Sequence, residues 1–137
     1  MNHSKTIFVT YCSAKKNHKS DLLSAIERYK SSRIQQVYFA AQSLNIDCFI
    51  LSGKFGIISS KKMIPDYNFM LKNEKVDEHS IKVEAQLESL NIEQIIFFTR
   101  SILEDKNLKP YLESIKQACK NKKISLTIVN LPAKKKV

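Results

Sequence analysis

Residues 46–56 read Ile-Asp-Cys-Phe-Ile-Leu-Ser-Gly-Lys-Phe-Gly, an apolar run that leads into a polar turn holding the only two glycines of the chain. The apolar part, Ile46–Leu51, alternates poorly, which is typical of strands buried on both faces of a parallel sheet. Glycine allows backbone conformations and close approaches that other residues resist. The stretch therefore predicts a buried strand that ends in a sharp, functionally interesting turn.

Three more apolar runs predict strands, at Thr6–Thr10, Gln94–Thr99 and Ile124–Asn130. Helical spacing of apolar residues predicts helices between the strands, at residues 21–29, 32–44, 78–90 and 108–120. Ser31 and Ser32 favour a break and a new N-cap between the first two helices. Residues 53–76 form a long irregular segment, and loops of that length are usually functional.

The order β-α-β-loop-α-β-α-β predicts an α/β fold. We expect a single three-layer domain, with a mostly parallel sheet of about four strands and helices on both faces. With 137 residues, the chain fits one domain over residues 1–133, followed by a basic tail at 134–137.

The net charge is +10, which suits a nucleic acid or another phosphate-bearing partner. Lysines far outnumber arginines, however, so compositional bias explains the charge equally well. Three widely spaced cysteines without a C-x-x-C motif argue against a disulfide framework and a thiolate metal site. We expect no metal and no cofactor. The apolar runs are too short for a signal peptide or a membrane span, which predicts a cytoplasmic protein that does not contact the membrane.

Polar residues follow the predicted strands where each strand ends. The first strand leads into Cys12-Ser13-Ala14-Lys15-Lys16, the second into Ser52-Gly53-Lys54-Phe55-Gly56, and the third into Arg100. Ligands of open α/β sheets bind beyond the carboxyl ends of the strands. The sequence therefore predicts a basic cleft at this edge, although the spacing does not match a Walker loop.

The candidate residues have two groups of roles. Lysines near a cysteine favour its nucleophilic thiolate, and a Ser-Gly-Lys turn offers amides and an ammonium to an anion. In the long loop, a carboxylate can act as a base and a tyrosine can stack on a nucleobase. The predicted catalytic residues are Cys12, Ser13, Lys54 and Asp66. The predicted binding residues are Lys15, Lys16, Ser31, Arg33, Ser52, Gly53, Gly56, Tyr67 and Arg100.

Each candidate also has a purely structural explanation. Cys12 could be an inert, buried thiol, which is the commoner fate of cysteine. The glycine turn could be a tight connection with a solvated lysine, and Tyr67 could pack on the edge of the sheet. Arg33 is poorly placed for the dipole of its helix, which either a ligand or simple surface exposure explains.

These motifs carry a family resemblance. Residues 51–58 (LSGKFGII), 64–67 (IPDY) and 27–34 (ERYKSSRI) resemble a small bacterial family of unknown function, across roughly residues 6–71. The peroxide-stress family of YaaA-like proteins has a more distantly similar signature. Residues 12–16 (CSAKK) are similar to the core motif of archaeosine synthases, which modify a base in tRNA. The resemblance implies an α/β cleft and a nucleobase or nucleic-acid context.

Three functional hypotheses follow. The first is an enzyme directed at a nucleobase, a nucleotide or a nucleic acid, in which Lys54 and the glycine turn hold a phosphate and Cys12 meets the reacting base. The second is a non-catalytic DNA- or RNA-binding stress protein that uses its lysines as phosphate contacts. The third is a redox sensor in which Cys12 is oxidised. The expected partner is a nucleobase or nucleotide ligand, or a nucleic acid.

Overall fold

The computed structural model describes residues 5–132, and most of this chain forms one sheet with helices on both sides. The predicted basic tail, residues 134–137, lies outside the described residues. The strands of this sheet are β1 (Thr6–Tyr11), β3 (Asp47–Ser52), β4 (Gly56–Ser59), β6 (Gln94–Thr99) and β7 (Ser125–Asn130). They have the order β4-β3-β1-β6-β7, and only β4 runs antiparallel to its neighbour. The predicted α/β class and the mostly parallel sheet are confirmed, with five strands instead of about four.

The additional strand, β4, lies inside the segment predicted to be irregular. It pairs with β3 in a tight hairpin, with Ser52 opposite Gly56 and Phe49 opposite Ser59. Gly56 has a φ of 76°, and a left-handed residue after a short turn is common in hairpins. A four-residue strand is too short to show a period in the sequence, which is why the strand was missed.

Three long helices cover the sheet. These are α2 (Ser32–Ser43), α3 (Val76–Ser89) and α4 (Lys109–Lys122). Helix α2 packs on one face, where Val37 and Ala41 contact Phe8 and Cys48. Helices α3 and α4 pack together on the other face over a larger apolar cluster. The predicted placement of helices on both faces is therefore confirmed.

The region before α2 is less helical than the sequence pattern suggested. Only α1 (Ala25–Arg28) is helical there, and it follows β2 (Leu23–Ser24), which pairs with β5 (Met63–Ile64). Ser31 caps α2, because its side-chain oxygen accepts a hydrogen bond from the Ile34 amide at 3.2 Å. The predicted break and new cap at this serine are confirmed.

The register of the central strands sets where the loops meet. Tyr11 of β1 lies opposite Leu51 of β3, and Thr10 lies opposite Phe98 of β6. Because these strands are parallel, the residues that follow them emerge at one edge of the sheet. The Cys12 amide donates to the Leu51 carbonyl at 2.9 Å, which fixes the start of the first loop beside the end of β3. Within residues 5–132, no helix has the length and apolar character needed to cross a membrane.

Candidate functional site

A cavity of about 660 Å³ opens where β1 and β6 end. Its walls come from the loop after β1, the start of α2, residues 68–70 and the segment from Arg100 to the start of α4. The predicted site residues that line it are Cys12, Ser13, Lys15, Lys16, Ser31, Arg33 and Arg100. The structure thus brings together the first predicted loop, the cap of α2 and the end of β6.

Arg33 holds the backbone on which Cys12 sits. Its guanidinium donates to the Thr10 hydroxyl at 2.6 Å and to the carbonyls of Tyr11 and Cys12 at 2.7 and 3.3 Å. It also lies 3.4 Å from the centroid of the Tyr11 ring. Burial lowers the pKa of Arg33 to about 10, so the guanidinium stays charged at neutral pH. Since its hydrogen bonds go to the protein, Arg33 positions the cysteine loop.

Two other predicted side chains donate hydrogen bonds to the protein backbone. The Ser13 hydroxyl donates to the Lys15 carbonyl at 2.7 Å, which folds the loop on itself. The Arg100 guanidinium donates to the Pro132 carbonyl, which links the end of β6 to the segment after β7. Lys15 is exposed at the mouth of the cavity, so its ammonium is available to a ligand.

Cys12 is half-buried and lies against hydroxyl groups. Its sulfur is 3.8 Å from the Tyr111 hydroxyl, in a hydrogen bond that the thiol donates. Behind it, the hydroxyls of Tyr29 and Tyr67 are hydrogen-bonded to each other, and the Ser52 hydroxyl lies 3.0 Å from that of Tyr67. The pKa values of Tyr29, Tyr67 and Tyr111 are raised. Burial is the largest cause in each case, and the nearby Cys12 sulfur is the second. The phenols therefore remain protonated through the neutral range.

Lys16 places a positive charge beside this cluster. The residue is only 7% exposed, and its Nζ lies 4.6 Å from the centroid of the Tyr67 ring and 6.0 Å from that of Tyr29. Among residues 5–132, no carboxylate lies within 4.0 Å of this ammonium, and no hydrogen-bond acceptor contacts it. The Nζ atom is not fully enclosed, so this unpaired ammonium on the cavity wall suits a negative ligand group.

The hairpin after β3 is built differently, and its predicted residues Ser52, Gly53, Lys54 and Gly56 do not line the cavity. The Ser52 side-chain oxygen accepts from the amides of Lys54 and Phe55, at 3.2 and 3.1 Å. These amides are therefore engaged within the turn, which does not form the open anion cradle that we predicted. Lys54 is exposed on the outside of the turn.

The two glycines are explained by packing. A Cβ at Gly53 would lie 2.9 Å from the Tyr111 hydroxyl, and a Cβ at Gly56 would lie 2.3 Å from Oε1 of Gln86. The Gln86 side chain locks the hairpin, because it accepts from the Ile57 amide at 2.8 Å and donates to the Phe55 carbonyl at 3.0 Å. The glycines let α3 and Tyr111 approach the turn.

Asp66 and Tyr67 also differ from their predicted roles. Asp66 is exposed outside the cavity, 2.9 Å from Nδ1 of His18, and this hydrogen bond lowers the pKa of the carboxyl. Neither property suits a base that acts in the cavity. The buried Tyr67 ring packs against Phe55, with centroids 5.1 Å apart, so it contributes its hydroxyl and offers no free stacking face.

Three residues that shape the site were not predicted from the sequence. Tyr111 lies at the inner face of α4, and its spacing from Leu108 and Ile115 was the available signal. Arg28 is fully buried and donates to four backbone carbonyls, including that of Ile64, which holds the first loop against β5. An arginine beside Glu27 in a predicted helix gives no sign of such contacts.

The third missed residue is His79, on α3. Its Nε2 lies 2.7 Å from the Ser52 carbonyl, which can only accept, so Nε2 carries the proton. Its Nδ1 lies 2.6 Å from the Ser114 hydroxyl, which is then the donor in the neutral ring. Burial lowers the pKa of His79. The histidine ties α3 and α4 to the end of β3.

The chain was compared with protein families, curated proteins and solved structures. No protein-family model, curated protein or solved structure matches the chain. Within the part of the chain that the structure describes, no cluster of three or more His, Cys, Asp or Glu side chains could hold a metal ion. The geometry of the cavity is therefore the basis for assigning a function.

Proposed function

We propose that this protein is an enzyme that acts on a nucleobase, a nucleotide or a base within a nucleic acid, and that the cavity beside Cys12 is its active site. One observation carries the proposal: the half-buried Cys12 and the largely buried Lys16, whose ammonium has no carboxylate within 4.0 Å among residues 5–132, line the same cavity of about 660 Å³. Small-molecule sites typically have volumes of about 300–1,000 Å³. The space suits a ligand of nucleotide size.

The walls of the cavity supply complementary groups for such a ligand. Lys15, Lys30 and Arg100 give the mouth a positive charge that suits phosphate. Phe69 also lines the cavity and is 44% exposed, so its ring can stack on a base. Asp105, also on the wall, provides an acceptor for hydroxyl or amino groups. Cationic, aromatic and acidic groups together favour a nucleotide over a simple anion.

The family resemblance supports the same ligand class. Residues 12–16 carry the similarity to the archaeosine synthase motif, and these residues form the cavity wall that contains Cys12 and Lys16. The glycine hairpin, which carries the similarity to the small bacterial family and to YaaA-like proteins, lies behind that wall. We infer that the first motif meets the substrate and that the second supports it.

The test is a thermal-shift screen with nucleosides, nucleotides, 7-deazaguanines, lysine and short DNA and RNA. We expect one small ligand to raise the melting temperature of the wild type, because a ligand that binds only the folded state stabilises it. Lys16→Met keeps the buried stem but removes the charge, and it should abolish the shift. Cys12→Ala should weaken the shift or leave the ligand unconverted.

Lys120→Met is the matched control, since Lys120 is exposed on α4 and does not line the cavity. It removes the same charge and should preserve the ligand shift. Stabilisation by nucleic acid alone, retained in Lys16→Met, would contradict the proposal. A steep salt dependence, with a slope of about −0.9 per neutralised phosphate on duplex DNA, would then indicate a basic binding module.

A further inference from the structure

For the hydroxyl groups around Cys12, the donor and the acceptor of each hydrogen bond can be assigned from the partners. Leu71 donates its amide proton to the Tyr111 oxygen at 3.1 Å, and an amide nitrogen can only donate. The Tyr111 oxygen is therefore the acceptor in that bond, and its own proton points elsewhere. In the described chain, the Cys12 sulfur is the other hydrogen-bond partner of this hydroxyl.

The same reasoning gives the direction of the hydrogen bonds that join the hydroxyls of Ser52, Tyr67 and Tyr29. Two amides donate to the Ser52 oxygen, so the Ser52 proton is the one shared with Tyr67. The Tyr67 oxygen thus accepts a hydrogen bond from the Ser52 hydroxyl, and its own hydrogen is directed to Tyr29 or toward the sulfur. The amides of Lys54 and Phe55 therefore set the direction of the hydrogen bond from Ser52 to Tyr67.

A thiol and a thiolate use the Tyr111 contact in opposite ways. The neutral thiol donates to the Tyr111 oxygen, whereas a thiolate has no proton and can only accept. Because the phenolic proton of Tyr111 is not needed by Leu71, it is free to turn to the sulfur when Cys12 ionises. Hydrogen bonds to a charged partner are stronger than neutral ones, so this reversal favours the ionised sulfur.

Lys16 offers a positive charge to a negative group at this site. Its side chain is more than nine-tenths buried, lines the cavity, and has no carboxylate or hydrogen-bond acceptor in contact among residues 5–132. Its Nζ is not fully enclosed, so an anionic group can pair with it. A thiolate at Cys12, an anionic ligand group, or both would supply that charge.

We propose that Tyr111 is a catalytic residue whose hydroxyl donates a hydrogen bond to the Cys12 thiolate and so keeps the sulfur reactive toward an electrophilic carbon of the substrate. This inference rests on the proposed function, because it takes Cys12 as the group that meets the ligand. Burial raises the pKa of Tyr111, which keeps the phenol protonated as a donor. Among the described residues, the other charged and titratable groups near the sulfur or in the cavity are Tyr11, Lys15, Lys16, Tyr29, Lys30, Arg33, Tyr67, Arg100, Glu104 and Asp105.

The test is the pH dependence of Cys12 alkylation by iodoacetamide, followed by peptide mass spectrometry. In this reaction the sulfur lone pair forms the new C–S bond, and iodide leaves with the electrons of the C–I bond. Tyr111→Phe removes only the hydroxyl. We expect the half-maximal rate to move about one to two pH units higher, and alkylation at neutral pH to slow roughly ten- to hundredfold.

A second variant separates a catalytic role from a structural one. Site-specific 3-fluorotyrosine at position 111 keeps the shape and hydroxyl but makes the phenol a stronger donor. It should move the half-maximal rate to lower pH, opposite to Tyr111→Phe. Tyr38→Phe is the control, because the Tyr38 hydroxyl bonds to Gln42 on the surface of α2. It should leave the profile unchanged.

Unchanged profiles in both Tyr111 variants would overturn the inference, as would shifts of the same sign. Buried Cys48 and Cys119 serve as internal references for unfolding, since their alkylation reports loss of the fold. The experiment needs no substrate. A failed ligand screen with a shifted profile would reject only the proposed function, whereas a positive screen with an unshifted profile would reject only the role of Tyr111.

Discussion

The loop after β1 and the hairpin after β3 leave the same edge of the sheet, and the sequence gives both a serine, a lysine and small residues. The first loop presents Cys12, Lys15 and Lys16 to the cavity. The hairpin turns the Ser52 hydroxyl and several backbone groups inward, where they bond to each other and to α3, and leaves the Lys54 side chain exposed outside the cavity. Position at a strand end therefore selects candidates, but the packing behind each loop decides whether its groups face a ligand or the protein.

The first loop depends on a buried arginine from outside the motif. Arg28→Lys removes the planar fork and leaves several of its carbonyl partners without a donor. We expect a loss of about 3 kcal/mol or more in the free energy of unfolding, measured by urea denaturation. Arg100→Lys, at a half-exposed arginine, is the control and should cost less than about 0.5 kcal/mol. Equal losses in both would mean that Arg28 does not support the loop.

The hairpin depends on its second glycine. Gly56→Ala places a side chain at a φ of 76° and brings its Cβ to 2.3 Å from Gln86. The left-handed conformation costs roughly 1–2 kcal/mol, and displacing the Gln86 lock adds to it, so we expect about 2–3 kcal/mol in the same denaturation experiment. Lys54→Ala in the same turn should change stability by less than about 0.5 kcal/mol. A neutral Gly56→Ala would contradict a structural hairpin.

His79 makes the hairpin sensitive to acid. Burial lowers its pKa in the folded protein, so folding favours the neutral ring. The resulting stabilisation is complete above about pH 6.5, the ordinary value for an unfolded histidine, and is lost as the pH falls through the lower folded value. His79→Gln should therefore remove a share of the acid-induced loss of stability, measured by urea titrations at about pH 7.5 and 5. Parallel losses in both proteins would assign the acid sensitivity to other groups.

Removing one lysine from each of the two loops should have the smallest effect on stability. It is also the sharpest test of the difference between them. Lys15→Ala and Lys54→Ala remove equal charges from exposed positions, and each should change the free energy of unfolding by less than about 0.5 kcal/mol. Only Lys15→Ala should reduce the thermal shift produced by a bound ligand, since Lys54 does not line the cavity. If instead only Lys54→Ala reduced the thermal shift, the hairpin would be part of the binding site.

Much of the fold follows from local sequence patterns. The runs around Thr6–Thr10 and Gln94–Thr99 contain mostly apolar residues, and the helical stripe of α2 continues through Ala41, so each element could be predicted close to its observed bounds. β4 could not, because four residues carry no period and its partner is set by the turn. The first helix was overestimated, since pairing of β2 with β5 replaces its first turns.

The site was predictable only in part. The rule that ligands bind beyond the ends of parallel strands selected Cys12, Lys16 and Arg100, and the structure places all three on the cavity. The same rule also selected Lys54 and Gly56, because a sequence does not show that Gln86, thirty residues later, fills the space beside that turn.

By itself, the sequence determined the α/β class and the edge of the sheet at which polar groups gather, because both depend on patterns among neighbouring residues. Only the tertiary structure decided that Tyr111 faces Cys12, that Lys16 is buried and that Arg33 binds backbone. These contacts join residues far apart in the chain. Their energies come from burial and hydrogen-bond geometry, which arise only when the helices and loops pack against the sheet.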